Sequence, residues 1–266
     1  MAQAEIGVIG GSGFYDFLDA QEQVAVDTPY GPPSDPVTVG TAGGRSVAFL
    51  PRHGRDHRFP PHRIPYRANL WALRSLGVRQ VLAPCAVGGL QPHLGPGTLV
   101  VPDQLVDRTS GRVQTFHETG AVHVAFADPY CPTGRGVAAR LAERDGWSVQ
   151  PRGTMVVVEG PRFSTRAESR SYSAAGWDVV NMTGHPEAVL ARELELCYTA
   201  VALVTDLDAG VEASGAVSVS EVFRVFADNV ERLRGLLTAV VAELPRERDC
   251  PCSAALCGQR VQLELP

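Results

Sequence analysis

The chain has 266 residues, with 24 Lys plus Arg against 29 Asp plus Glu and a formal net charge of −5, so no global field favours nucleic acid. Hydrophobic residues at 44% and charged ones at 20% fit a globular domain with a buried core. No apolar run approaches the ~20 residues that span a bilayer, residues 1–6 carry no signal-peptide pattern, and every basic side chain is Arg, which excludes Schiff-base, pyridoxal-phosphate and P-loop lysines.

In chain order, EIGVIGGSGF (5–14) reads as a buried strand entering a glycine turn. TPYGPPSDP (28–36) is a turn cluster, and RSVAFLPRHG (45–54) is a second strand. YRANLWALRSLGV (66–78) has helical apolar spacing with Gly77 as its stop. Strands are predicted within 78–90, 97–107, 153–161, 176–184 and 197–208, and helices over 134–147 and 186–196. A last amphipathic helix, 218–244, opens on Ser218-x-x-Glu221, a capping-box pattern.

This alternation predicts one α/β domain on a central mixed sheet flanked by helices, spanning 1–245, with a tail over 246–266 that packs at a subunit interface. In such sheets ligands gather beyond the carboxyl ends of the strands. There the sequence places Gly10–Gly13, Arg52–His53, Cys85–Gly89, Glu159–Ser164, Asn181–Thr183 and Thr205–Asp208.

GGSG (10–13) fits the dinucleotide fingerprint poorly, because Asp16 stands where a third glycine belongs. An anion loop and a plain tight turn both stay open. PRHGRDHRFPPHR (51–63) has His53 and His57 at metal-ligand spacing, but Gly54 and the prolines oppose a long helix, and the arginines oppose a dication. An anion held by Arg52 through paired, charge-assisted bonds is the better guest, with a solvated basic loop as the bland alternative. Asp206 and Asp208 close an apolar strand two residues apart, which puts them on one face if the strand is regular. A carboxylate in an apolar cleft has a raised pKa and can act as a general acid. Phe163 can stack on a heterocycle and Met182 can pack on a sugar, although each alone is more often core. The six cysteines, at 85, 131, 197, 250, 252 and 257, form no CxxC…CxxC zinc pattern. Buried cytoplasmic thiols are the expectation, with a redox pair at 250–252 as the minor alternative.

Taken in order, GVIGGSGF, RHGRDH, AVGGL, PDQLVDRT, DPYCP, GTMVVVEGPRFSTRAES, VNMTGHPEAVLARE and VALVTDLD resemble the 5′-methylthioadenosine phosphorylase branch of the purine nucleoside phosphorylases, over residues 5–240. The resemblance implies a single-domain nucleoside-phosphorylase fold, a homotrimer, and neither metal nor organic cofactor, beside the cytoplasmic setting expected from the cysteines. Inorganic phosphate would be a co-substrate in a purine-salvage reaction giving adenine and 5-methylthioribose 1-phosphate. It assigns phosphate binding to Ser12, Arg52, His53, Cys85, Ala86 and Thr183, where Cys85 replaces a usual Thr or Ser hydroxyl with a weaker thiol donor. Asp206 would protonate or hydrogen-bond N7 of the leaving purine, and Asp208 would read the 6-amino group. Gly88, Phe163, Ser164, Met182 and Thr205 would complete the nucleoside site, and Val219 and Val222 would wall the 5′ substituent. His57 matches a position near that substituent, and His123 one that reaches into a neighbouring subunit's site.

Other readings remain open: a phosphorylase for 5′-halo-5′-deoxyadenosine, adenosine or inosine, a nucleosidase, a non-catalytic nucleoside-binding protein, and a metalloenzyme using the histidines. Nucleic acid and membrane partners are not expected.

Overall fold

Strands and helices alternate as the hydrophobic periodicity predicts. The structure is a computed structural model that describes residues 4–11, 14, 18–211, 217–259, 261 and 263–266. The first half contains β1 (Ile6–Gly10), β2 (Asp19–Val24), β3 (Val37–Ala42), β4 (Arg45–Pro51), α1 (Tyr66–Ser75), β5 (Gln80–Gly89), β6 (Leu99–Val100) and β7 (Gln104–Arg108). The second half contains α2 (Pro132–Arg144), β8 (Val149–Gln150), β9 (Thr154–Val158), α3 (Arg166–Ala174), β10 (Val179–Asn181), α4 (Gly184–Glu193), β11 (Cys197–Leu207) and α5 (Val219–Glu243).

All eleven strands join one mixed sheet, whose main path runs β2-β3-β4-β1-β5-β10-β9-β7. The pivot is β5. Its first three residues pair with β1, its last two pair antiparallel with β10, and β11 runs parallel beside it for its whole length. Two long, largely apolar strands side by side are what helices on both faces require. One apolar layer packs α1 and α4 against the sheet, and the other packs α2 and α5. On α5 the buried stripe is Val225, Leu233, Leu236, Leu237, Val240 and Val241, a 3.6-residue period facing the core.

Two local expectations are corrected. Ser218 makes no capping bond at the start of α5. Its hydroxyl pairs with Ser220, while Glu221 turns to Arg224. The capping box is instead at α3, a helix the sequence reading did not predict: Thr165 Oγ1 accepts from Glu168 N–H at 3.2 Å, and Thr165 N–H donates to Glu168 Oε2 at 2.7 Å. Gly77 does end α1, with φ at +97°, where only glycine is unstrained.

The tail folds back on its own chain. Leu263 and Leu265 pack against the core, Arg74 Nη1 donates to the Pro266 carbonyl at 2.6 Å, and Arg248 Nη1 donates to Glu195 O at 2.7 Å. Among the described residues no helix is long and apolar enough to cross a membrane.

Candidate active site

The carboxyl ends of β4, β5, β10 and β11 open onto a cavity of about 1060 Å³, its mouth included. It is lined by every residue assigned to the site from sequence except Ser12, His123 and Val219. Ser12 lies outside the described residues. His123 is exposed on the loop after β7, and Val219 is exposed at the start of α5. This chain therefore brings neither into its own cavity.

β11 delivers the two acids through an irregularity. Its register against β5 slips between Val204 and Asp206, so Thr205 is an extra residue and Asp206 faces Gly88. The Thr205 hydroxyl bonds Asp206 Oδ1 at 2.8 Å. Gly88 has no side chain because a Cβ there would meet Val180 at 3.0 Å, Asp208 at 3.4 Å and Asp206 Oδ2 at 3.5 Å. Burial pushes the Asp206 carboxyl up to about 6, with the Asp208 charge adding to the shift and the Thr205 bond opposing it. Asp208 is 3% exposed, and its Oδ2 has no hydrogen-bond partner. Ser164 Oγ is likewise buried without a partner. Unpartnered buried acceptors beside a cavity are costly unless a ligand satisfies them.

The opposite corner is polar. Among the described residues, Arg52 alone of the four arginines in 51–63 lines the cavity. Its Nε and Nη2 grip Glu187 at 2.8 and 2.9 Å, Nη2 also donates to Ile9 O at 2.9 Å, and Nη1 donates to Pro84 O at 3.2 Å. Four of its five N–H groups thus serve protein acceptors. The sequence expectation of paired bonds from Arg52 to an anion is corrected: one Nη1 N–H and the positive charge remain for a guest. Burial opposes that charge, and Glu187 more than offsets it, so the Arg52 pKa lies above its ordinary value.

His53 Nδ1 lies 2.8 Å from the Phe59 carbonyl. A carbonyl only accepts, so Nδ1 carries the proton and Nε2 of the neutral ring is an acceptor. Burial depresses its pKa to about 4, so the ring is neutral at pH 7. The His57 ring stacks on it at 4.5 Å with 10° between planes. The turn that allows this has Gly54 at φ +77° and His57 at φ +58°, so no helix forms, as the sequence predicts. Cys85 sits beside this corner, and burial pushes its thiol up to about 12, which keeps it neutral.

The sequence assigns no individual role to several residues that shape the cavity. Asn181 Oδ1 accepts from the N–H groups of Thr183 and Gly184, both at 2.7 Å, and so fixes Thr183 ahead of α4. Arg112 donates to the carbonyls of Met182 (2.9 Å), Glu159 (2.7 Å) and His185 (2.6 Å), clamping the Met182 turn. Gly160, at φ +62°, leaves the space that Met182 fills; a Cβ there would lie 2.6 Å from its sulfur. Phe223 and Phe226 join Val222 as apolar lining from α5. Their i, i+3 spacing is visible in the sequence but reads as core.

A family model described as "Phosphorylase superfamily" matches residues 5–242. The chain belongs to the phosphorylase superfamily. Among its superfamily relatives, the purine nucleoside phosphorylase of Streptomyces coelicolor is 63% identical over 275 residues, covering 99% of this chain and 98% of that protein. The S-methyl-5′-thioadenosine phosphorylase of Mycolicibacterium smegmatis is 59% identical, covering 98% and 99% respectively. Among solved structures, a methylthioadenosine phosphorylase from an antarctic soil metagenomic library superposes with a TM-score of 0.90 at 41% identity, covering 97% of this chain and 92% of its own. The superfamily fold and the mixed sheet expected from the sequence are thereby both met.

Proposed function

We propose that this chain is a pentosyltransferase that splits 5′-methylthioadenosine with phosphate, releasing adenine and 5-methylthioribose 1-phosphate. The observation that carries the reading is a single cavity holding an acid of raised pKa, Asp206, an unpartnered buried acceptor on Asp208, and the Arg52–His53–Thr183 corner. The names of the 59% identical relative and of the 41% identical structure support the methylthio substrate.

Each step follows from a group in the cavity. A phosphate oxygen attacks C1′ of the ribose, the C1′–N9 bond breaks, and its electron pair leaves with the purine. Asp206 gives its proton to N7, so the base departs neutral. Asp208 accepts from the 6-amino group. Phosphate rests against the Arg52 charge, the Thr183 hydroxyl and the Cys85–Ala86 stretch of β5, and its own negative charge steadies the cationic sugar. Because His53 is neutral with Nε2 as acceptor, it suits the hydroxyl of hydrogenphosphate better than a phosphate oxygen. Val222, Phe223 and Phe226 favour an apolar 5′ group. The reaction as written balances with phosphate as co-substrate and calls on no cofactor. A homotrimer would let the exposed His123 complete a neighbour's site.

The test is a substrate panel with and without phosphate, varying the 5′ group and the purine 6 position. Adenine release should depend on phosphate and yield the sugar 1-phosphate in equal amount. Release at an undiminished rate in phosphate-free buffer would replace this reading with a nucleosidase.

A further inference from the structure

Cys131, Cys197, Cys250 and Cys252 come from three segments far apart in the chain. Cys131 immediately precedes α2, Cys197 opens β11, and Cys250 and Cys252 flank Pro251 in the tail. All four are buried, at 1%, 3%, 8% and 1% exposure, and all are free thiols. Their Sγ atoms lie within 4.8 Å of one another, and Cys197 and Cys250 are 3.3 Å apart. A thiol is a weak donor and acceptor, so mutual hydrogen bonding is a poor reason to gather four of them. A shared centre is a better one. Four sulfurs bound at about 2.3 Å to one tetrahedral ion would sit roughly 3.8 Å apart, inside the observed range.

We propose that these four cysteines bind one zinc ion as a closed tetrathiolate site. Soft thiolate ligands in a tetrahedral set select zinc over magnesium or calcium. Binding displaces one proton from each thiol, leaving a site of net charge −2. Part of that charge meets the start of α2, which Cys131 immediately precedes and where the helix dipole is favourable to an anion. The site has no fourth position open to water, and Asp206 lies nine residues along β11 from Cys197, about 30 Å away in an extended strand. Its role is therefore structural: it ties the tail to α2 and β11. The tail then reaches the loop that carries His123, where Gln259 Nε2 donates to the His123 carbonyl at 3.2 Å.

Full-length protein, purified under reducing conditions from zinc-containing medium, should carry about one zinc per chain by elemental mass spectrometry. Replacement by cobalt should give the sulfur-to-cobalt charge-transfer band and intense visible bands of a tetrahedral thiolate site. The Cys252→Ser variant should hold less than a tenth of the wild-type zinc, whereas Cys257→Ser, altered at an exposed cysteine, should hold all of it. If Cys252→Ser does not fold, the cobalt spectrum of the wild-type chain decides. Absence of both zinc and a cobalt spectrum after reduction and reloading overturns the proposal. So does non-reducing peptide mapping that finds two disulfides among these four cysteines.

Discussion

Arg52 and Glu187 meet fork to carboxylate, at 2.8 and 2.9 Å, with both side chains almost sealed from solvent. Tyr198 Oη donates to the same carboxylate at 2.7 Å. Alone, a buried guanidinium would be costly, so Glu187 is what permits a positive charge at the edge of the cavity. Glu187→Gln keeps the shape and removes the countercharge. Breaking such a pair costs about 3–5 kcal/mol, roughly 2–4 °C of melting temperature for each kcal/mol in a chain of this size. Saturating phosphate should recover part of that loss, because an anion then takes the countercharge role. A variant that melts with the wild type would remove Glu187 from this account.

Asp206 makes a pH prediction with a definite sign. Its folded pKa is about 6 against an ordinary 3.8, so the folded chain holds the proton more tightly. As an acid toward N7 it must be protonated, and kcat/KM should fall as pH rises through about 6. Phosphate ionises nearby, so Asp206→Asn is the control: the limb should disappear and the remaining rate should be low. The same shift lowers stability as pH rises between about 4 and 6, because there the unfolded chain binds fewer protons. His53, depressed to about 4, does the opposite and stabilises the fold as pH rises toward 6.5. Asp206→Asn should therefore give a steeper gain in melting temperature over that window. An unchanged slope would contradict the Asp206 shift.

Asp208 addresses base choice. Its unpartnered Oδ2 can accept from a 6-amino group but cannot donate to a 6-oxo group. Asp208→Asn adds a donor, so kcat/KM for inosine-type relative to adenosine-type substrates should rise ten-fold or more, within the range that hydrogen-bond reading allows. Equal loss on both substrate types would show that Asp208 does not read position 6. The 63% identical relative carries a general purine nucleoside name, which makes this ratio the informative quantity.

The sheet and most helices were legible because β1, β5 and β11 are predominantly apolar runs and α5 carries a 3.6-residue apolar stripe. β2, whose sequence is DAQEQV, was not, since it lies at the sheet's edge and alternates too weakly to show. The Asp206–Asp208 pair was legible as chemistry, but the Thr205 bulge that aims it was not, because a bulge depends on the partner strand. Arg52 was found and its partner missed. Glu187 sits within a short helix whose sequence gives no hint that it turns toward β4. The four-cysteine cluster was illegible for the same reason: its members share a centre only after β11, α2 and the tail have packed.

Cys85 tests the phosphate corner directly. It lines the cavity near Arg52 as a neutral thiol, since burial raises its pKa to about 12. A thiol donates weakly to a phosphate oxygen, whereas a hydroxyl of nearly the same size donates well. One such neutral hydrogen bond is worth about 0.5–1.5 kcal/mol net, so Cys85→Ser should lower the KM for phosphate by roughly two- to ten-fold. Because the bond forms with bound phosphate before the sugar reacts, kcat should stay nearly constant, the signature of uniform binding. A change confined to kcat would mean that position 85 acts on the transition state instead. An unchanged KM would place phosphate away from β5 and leave its grip to Arg52, His53 and Thr183.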